Sequence, residues 1–239
     1  MAATNNSSSY AGKDTLEELD GANNYINSII ALILHHCDAE EEDVHLVDFG
    51  AGIGSYAERL QKKDRTVSCI EPDVDCQSVI AQKGLPVYSS LQEFQHGFVE
   101  KKKFVYSLNV LEHIANDSEI ISSLHENLQE GEKLLLYLPA FMILYSRFDR
   151  RVGHYRRYRG PKLIEMLQEH GFVVERCQYM DSIGFFVALL FKLIFNSSRG
   201  PSKMAIRVFD QLLFPLNRLL DPLLGRWLGK NLVVVAVKS

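Results

Sequence analysis

The sequence predicts an α/β fold, a mostly parallel sheet with helices on both faces. Three observations carry this. Short apolar strand patterns alternate with helical ones, a glycine turn joins the first strand to its helix, and an acidic residue closes the second strand. At 239 residues the chain is long enough for one well-buried α/β unit plus an insertion.

The chain begins Asn/Ser-rich, without a basic stretch leading into an apolar core, so no signal peptide is expected. Residues 1–19 read as a disordered tail and 20–239 as a single domain. Residues 23–37 carry a wide apolar stripe (Tyr25, Ile26, Ile29, Ile30, Ile33) and form the first helix. An acidic run ends it and leads into a buried strand over 45–49. Gly50 to Gly54 make the turn, and a helix follows over 55–62. A second strand over 67–70 ends at Glu71, Pro72 and Asp73. A helix over 75–83 precedes a short third strand at 86–88. Residues 104–108 are the fourth strand, with a helix behind it to about Leu128. Gly131 breaks that helix, and Pro139 stops a fifth strand over 133–138. A helix over 162–170 and strands over 173–179 and 232–237 complete the set.

The turn carries the first chemistry. Glycines at positions 50, 52 and 54 let the backbone bend sharply and approach a ligand, because no Cβ intervenes. Glu71 ends the next strand, where a carboxylate can accept hydrogen bonds from both ribose hydroxyls of a nucleoside. Asp48, two residues ahead of the turn, would repel a pyrophosphate but attract an ammonium. Together with the missing third glycine of GxGxxG, it argues against an NAD-dependent oxidoreductase and for S-adenosylmethionine.

These residues resemble the class I S-adenosylmethionine-dependent methyltransferases. The likeness rests on VDFGAGIG (47–54), CIEPD (69–73), SLNVLEHI (107–114) and LQEGEKLLLYLPA (128–140). A narrower likeness, in LYSRFDRRVGHYRRY (144–158) and DGANNY (20–25), is to a small, mostly bacterial subgroup of unassigned substrate. The resemblance implies a Rossmann-like, doubly wound seven-stranded sheet whose last strand is antiparallel. It implies that Gly50, Ala51, Gly52 and Gly54 approach the methionine part and that Asp48 and Asn109 face its ammonium. Glu71 and Pro72 would then hold the ribose, with Tyr25 and Val110 beside the cofactor. Many relatives have an acidic residue after the third strand for the adenine amine. Here the sequence reads Ser89-Ser90-Leu91, so a hydroxyl and packing on Leu91 are expected to serve instead.

Methyl transfer needs alignment above all, and a base only where the acceptor must lose a proton. The candidates are His154, with Asp149 to orient it and Tyr155 beside it, and His113 after the fourth strand. Both histidines have a structural alternative, as a loop tie or a helix start. The acceptor loop, 140–160, is basic. Between 146 and 162 seven Arg or Lys oppose Asp149 alone, which suits either an anionic acceptor or a solvated charged loop. No metal quartet can be assembled from neighbouring Cys and His, and the four scattered cysteines suit a reducing cytoplasm. The net charge of −4, without a basic face interleaved with aromatics, argues against nucleic acid as partner.

About fifty residues, 181–231, separate the last two strands and form an apolar helical insertion. Its first segment, 183–195, is too short to span a bilayer. Its second, 204–228, has helical spacing with bends expected at Pro215 and Pro222. Cations edge both. A hairpin packed on the sheet, an anionic membrane contact, a lid over a lipid-like acceptor and a homodimer face all fit this pattern. The functional expectation is therefore methyl transfer from S-adenosylmethionine to a small-molecule or lipid-linked acceptor. The rival is a non-catalytic binding module that uses the insertion for a partner.

Overall fold

The structure is a computed structural model, describing residues 21–37, 44–96, 101–195 and 200–239. The expected tail lies outside the described residues. Helix α1 (Asn23–His36) precedes β1 (His45–Phe49), and α2 (Ser55–Gln61), β2 (Val67–Ile70) and α3 (Val74–Gln82) follow. Next come β3 (Val87–Tyr88), α4 (Leu91–His96), β4 (Lys103–Leu108), α5 (Asp117–Asn127) and β5 (Lys133–Pro139). The acceptor loop holds the short helix α6 (Arg147–Arg151), ahead of α7 (Gly160–Glu169) and β6 (Phe172–Met180). The insertion contains α8 (Ser182–Ile194), α9 (Lys203–Val208) and α10 (Asn217–Leu224), and β7 (Asn231–Lys238) closes the sheet.

The seven strands run in the order β3-β2-β1-β4-β5-β7-β6. The first five are parallel, and β7 lies antiparallel between β5 and β6, as the resemblance implies. Both faces are covered. On one side Ile26, Ile29, Ile30 and Ile33 of α1 pack with Ala57, Leu60 and Ile80 against Leu46, Phe104 and Leu135. On the other, Ile121 and Leu124 of α5 and Leu163 and Leu167 of α7 cover Val47, Val105 and Leu136. Strands buried on both faces read as continuous apolar runs, which is why they were legible.

Strand order reverses between β1 and β4. In open α/β sheets a ligand crevice forms at the carboxyl ends of the strands on either side of such a switch. The glycine turn, Glu71 and Asn109 leave the sheet there.

Pro222 stands inside α10, which continues through it. The irregularity falls earlier, where a π turn (Phe209–Leu213) passes into a 3-10 turn (Phe214–Leu216) containing Pro215. No helix among the described residues is long and apolar enough to cross a membrane.

Candidate active site

The turn is built as its glycines require. Gly50, Gly52 and Gly54 all have positive φ, at 78°, 56° and 71°. Gly50 is constrained further, because a Cβ there would lie 2.4 Å from Cγ2 of Val110. The Gly50 and Ala51 amides donate to the Ile70 carbonyl at 2.8 and 3.2 Å, tying the turn to β2. Glu71 locks the other side. Its Oε2 accepts from the Gly52 amide at 2.7 Å and its Oε1 from the Asp73 amide at 3.0 Å. The two backbone bonds orient this carboxylate beside the turn, and each oxygen retains a lone pair for a further donor. Burial raises its pKa while those amides oppose the shift.

Asp48 stands in β1, two residues ahead of the turn, and is not among the residues that line the cavity next to it. It is buried, its Oδ2 has no hydrogen-bond partner, and burial pushes its carboxyl up to about 7, with the Tyr106 hydroxyl opposing and Glu71 adding to the rise. A buried carboxylate without a counter-charge favours a cation beside it. Asn109 holds a left-handed conformation, φ 54°, uncommon outside glycine, with its amide donating to the Tyr137 carbonyl at 2.8 Å. The Tyr25 hydroxyl lies beside Asn109 and Tyr137 and is pushed up to about 12, mainly by burial. Its ring meets Tyr137 and Phe214 edge-on.

A cavity of about 300 Å³ opens next to the turn, at the small end of ligand pockets. Gly50, Pro72, Ser89, Ser90, Leu91 and Val110 line it, all singled out from the sequence. Phe49, Ile70, Ile114 and Ile120 also line it and were not foreseen. The serines are partly committed. Ser89 donates from both its amide and its hydroxyl to Glu93, at 2.7 and 2.5 Å, while the Ser90 hydroxyl accepts from the Glu93 amide at 3.2 Å. They cap α4, so the apolar walls are the surface a flat base would meet.

On the acceptor side, the loop is pinched at its neck. The Phe141 amide donates to the Tyr158 carbonyl at 2.9 Å, and the Tyr158 amide to the Pro139 carbonyl at 2.8 Å. Inside it, Asp149 is a hub. Ser146 donates to its Oδ2 from amide and hydroxyl, and Arg157 donates to its Oδ1 at 2.9 and 2.8 Å. His154 places Nδ1 3.0 Å from the same Oδ1. Burial opposes ionisation of Asp149, but His154, Arg157 and Ser146 together hold its carboxyl far below the usual range. The other ring nitrogen of His154 lies 4.0 Å from Oε1 of Glu112. His113 stacks edge-on against His154 with ring centres 4.5 Å apart, and burial with the neighbouring His154 pushes its pKa down to about 4.

The structure thus brings Asp149 to His154, the pairing expected from the sequence, and adds His113 and Glu112 beside them, a grouping the sequence did not flag. Glu112 is completely buried, neither carboxylate oxygen has a hydrogen-bond partner, and burial pushes it up to about 8. Tyr155 points away from this cluster. Its side chain is 59% exposed, under the Arg156 guanidinium, although its amide donates to the Glu112 carbonyl at 2.7 Å. Glu112, His113 and His154 have ligand atoms within 4.8 Å of one another, the one such group of three among the described residues and the natural place to look for a bound cation. The basic loop spends part of its charge internally. Arg157 holds Asp149, and Arg156 reaches Asp117 at 2.5 Å and the Ala115 carbonyl at 2.6 Å.

A family described as a methyltransferase domain matches residues 22–176. No curated protein matches the sequence. Among solved structures, the chain is similar to an S-adenosylmethionine-dependent methyltransferase from Thermotoga maritima, at a TM-score of 0.61 and 12% identity, covering 96% of this chain and 98% of that one. It is also similar to an S-adenosylmethionine-dependent methyltransferase from Archaeoglobus fulgidus, at 0.56 and 17%, covering 89% and 94%. A third, magnesium protoporphyrin IX methyltransferase from Synechocystis with bound S-adenosylmethionine, matches at 0.54 and 15%, covering 100% and 86%. At these identities the likeness is one of fold.

Proposed function

We propose, on the premise that this chain belongs to the methyltransferase domain family, that it transfers a methyl group from S-adenosylmethionine to a small-molecule or lipid-linked acceptor. Residues 20–239 act as the single catalytic domain. The observation that carries the donor assignment is the pairing of a buried Asp48, whose Oδ2 lacks a hydrogen-bond partner, with a turn of three glycines at positive φ whose backbone is left uncovered by side chains of its own. Such a crevice suits a ligand with an ammonium close to backbone. Asp48 and Asn109 take the ammonium, Gly50, Ala51, Gly52 and Gly54 take the methionine backbone, and Glu71 with Pro72 takes the ribose. Ser89, Ser90, Leu91 and Val110 shape the base cavity, and Tyr25 closes the methionine end.

The donor supplies an electrophilic methyl group on a sulfonium, and the chain's own work is to align the acceptor and remove its proton. His154 is the base. Asp149, ionised and fixed by Arg157 and Ser146, orients the imidazole through Nδ1, leaving Nε2 to receive a proton. His113 packs against the ring, and Tyr155 stands exposed on the same loop, where an acceptor could meet it. A lipid-linked acceptor is favoured within the class because exposed apolar side chains of α8 adjoin this loop. Four cysteines scattered along the chain, with no CxxC pair, suit a cytoplasmic setting.

Calorimetric titration tests the donor. Micromolar binding of S-adenosylhomocysteine with no response to NAD is expected, and absence of binding by either would return the chain to the class of non-catalytic modules. Incubation with labelled methyl donor and a fractionated metabolite and lipid extract identifies the acceptor.

A further inference from the structure

The insertion leaves a large apolar surface without a partner. On α8, Leu190, Leu193 and Ile194 are 58%, 73% and 62% exposed. On the return segment, Leu219, Leu223 and Trp227 are about two-thirds exposed. Side chains of this size and number face water in few soluble folds.

The charges sort themselves by sign. Every acidic residue among the described residues from 181 to 230 is bound to a helix N-terminus. Asp210 accepts from the Asn24 and Tyr25 amides, capping α1 from 186 positions away. Asp221 accepts from the Asp181 and Ser182 amides at 2.9 Å each, and Asp181 accepts from Gly184 at 3.0 Å. The cations turn outward, with Lys203, Arg207, Arg218 and Arg226 all exposed. A surface that is apolar, edged with Arg and Lys and stripped of exposed acid complements one kind of partner.

We propose that this face docks on the surface of an anionic phospholipid bilayer, lying in the interface without crossing it. The apolar side chains enter the acyl boundary while the cations meet lipid phosphates. The same surface continues into the acceptor loop. Met142 and Ile143 of that loop are half exposed, Lys192 of α8 donates to the Ile143 carbonyl at 2.7 Å, and Phe141 meets Phe185 of α8 edge-on. Docking therefore brings the 140–160 loop, which carries His154, to the bilayer, where a lipid-linked acceptor would be presented. That last step rests on the proposed base site; the docking does not.

The chain carries a single tryptophan, Trp227, which makes it its own reporter. The full-length protein is mixed with phosphatidylcholine vesicles, with or without one-third phosphatidylglycerol. Co-sedimentation with the anionic vesicles at low salt, release at high salt and a shift of Trp227 emission to shorter wavelength are expected. Leu193→Glu and Leu223→Glu, both at exposed positions, should abolish sedimentation. Arg218→Gln should weaken it about fivefold, since each cation near such a surface is worth about 1 kcal/mol. Recovery in the supernatant at low salt overturns the proposal. So does a dimer in analytical ultracentrifugation that Leu193→Glu dissociates while vesicles bind neither form. S-adenosylhomocysteine affinity, measured on the same variants, should not move, so loss of docking reads separately from loss of the donor site.

Discussion

Replacing Asp48 by asparagine should make the free protein more stable and the donor bind more weakly. In the unfolded chain its carboxyl ionises near 3.8, and in the folded crevice near 7, a difference of about three pKa units. At about 1.4 kcal/mol per unit, ionised Asp48 destabilises the unliganded fold by about 4 kcal/mol at pH 8. Because the folded value is the higher one, this penalty is absent below pH 4, grows between pH 4 and 7, and is complete above. An asparagine removes it but leaves amide hydrogens to satisfy, at about 1–3 kcal/mol. The net gain at pH 8 is about 1–3 kcal/mol, which raises the melting temperature by about 3–10 °C for a chain of this size. At pH 4 the penalty is nearly gone while the amide cost remains, so the variant should melt below the parent. Donor binding should respond in the opposite sense. It requires Asp48 ionised and the ligand's α-amino group protonated. Affinity should therefore rise about five- to tenfold from pH 6 to 7.4. Asp48→Asn should lose the acid limb. Differential scanning fluorimetry and titration calorimetry across this range measure both. A variant that melts lower at pH 8 and binds S-adenosylhomocysteine as tightly as the parent would remove Asp48 from the site.

Glu71→Ala should weaken S-adenosylhomocysteine binding by about 1–3 kcal/mol in calorimetry. An unchanged affinity would show that Glu71 only ties the Gly52 and Asp73 amides. Gly50→Ala adds a positive-φ strain of about 1–2 kcal/mol and a clash with Val110, so its melting temperature should drop; Val110→Ala in the same chain should restore part of the loss, and no restoration would mean the clash is not the cause. His154→Ala should lower turnover about 10²–10⁴-fold with donor affinity intact. Stoichiometric metal in the purified protein, by elemental analysis, would instead make His154 a ligand alongside Glu112 and His113.

The features legible in the sequence share one property, that their chemistry is local. Strand β1, the glycine turn and the following helix occupy seventeen consecutive residues, 45–61, and the turn's conformational demand is written in glycines alone. Glu71 was findable because the end of a strand fixes its place relative to the neighbouring strand. Asp149 and His154 were findable because five residues separate them and one loop holds both. Glu112 was not. A carboxylate before a histidine at the start of a helix reads as an exposed first-turn acid. Only the closure of the 140–160 loop, through the Tyr155 amide on the Glu112 carbonyl, accounts for its burial. The arginine run left two readings open, and the sequence alone could not show that Arg156 and Arg157 each turn to a different carboxylate, because Asp117 lies far away in the chain.

Asp181, Asp210 and Asp221 show how the insertion can be both part of the fold and exposed to its surroundings. Along the chain the insertion carries seven Lys or Arg against three aspartates, and folding ties those three to helix N-termini. Asp210 spans from the insertion to the first turn of α1, whose own N-cap, Ala22, has no side chain able to accept those amides. The aspartates point inward, and with Phe185 on Phe141 and Phe214 on Tyr25 they hold the insertion while Leu190, Leu193, Leu219 and Leu223 stay exposed. A hairpin that served only to cover the sheet would anchor through its leucines. This one anchors through aspartates and two phenylalanines and turns these leucines outward, and Asp210→Ala separates the two roles. It should free the start of α1, lower the melting temperature and expose the first turn to faster amide exchange, while the exposed apolar face keeps its affinity for anionic vesicles. If vesicle binding is lost and stability is unchanged, the division of labour between inward acid and outward leucine is wrong.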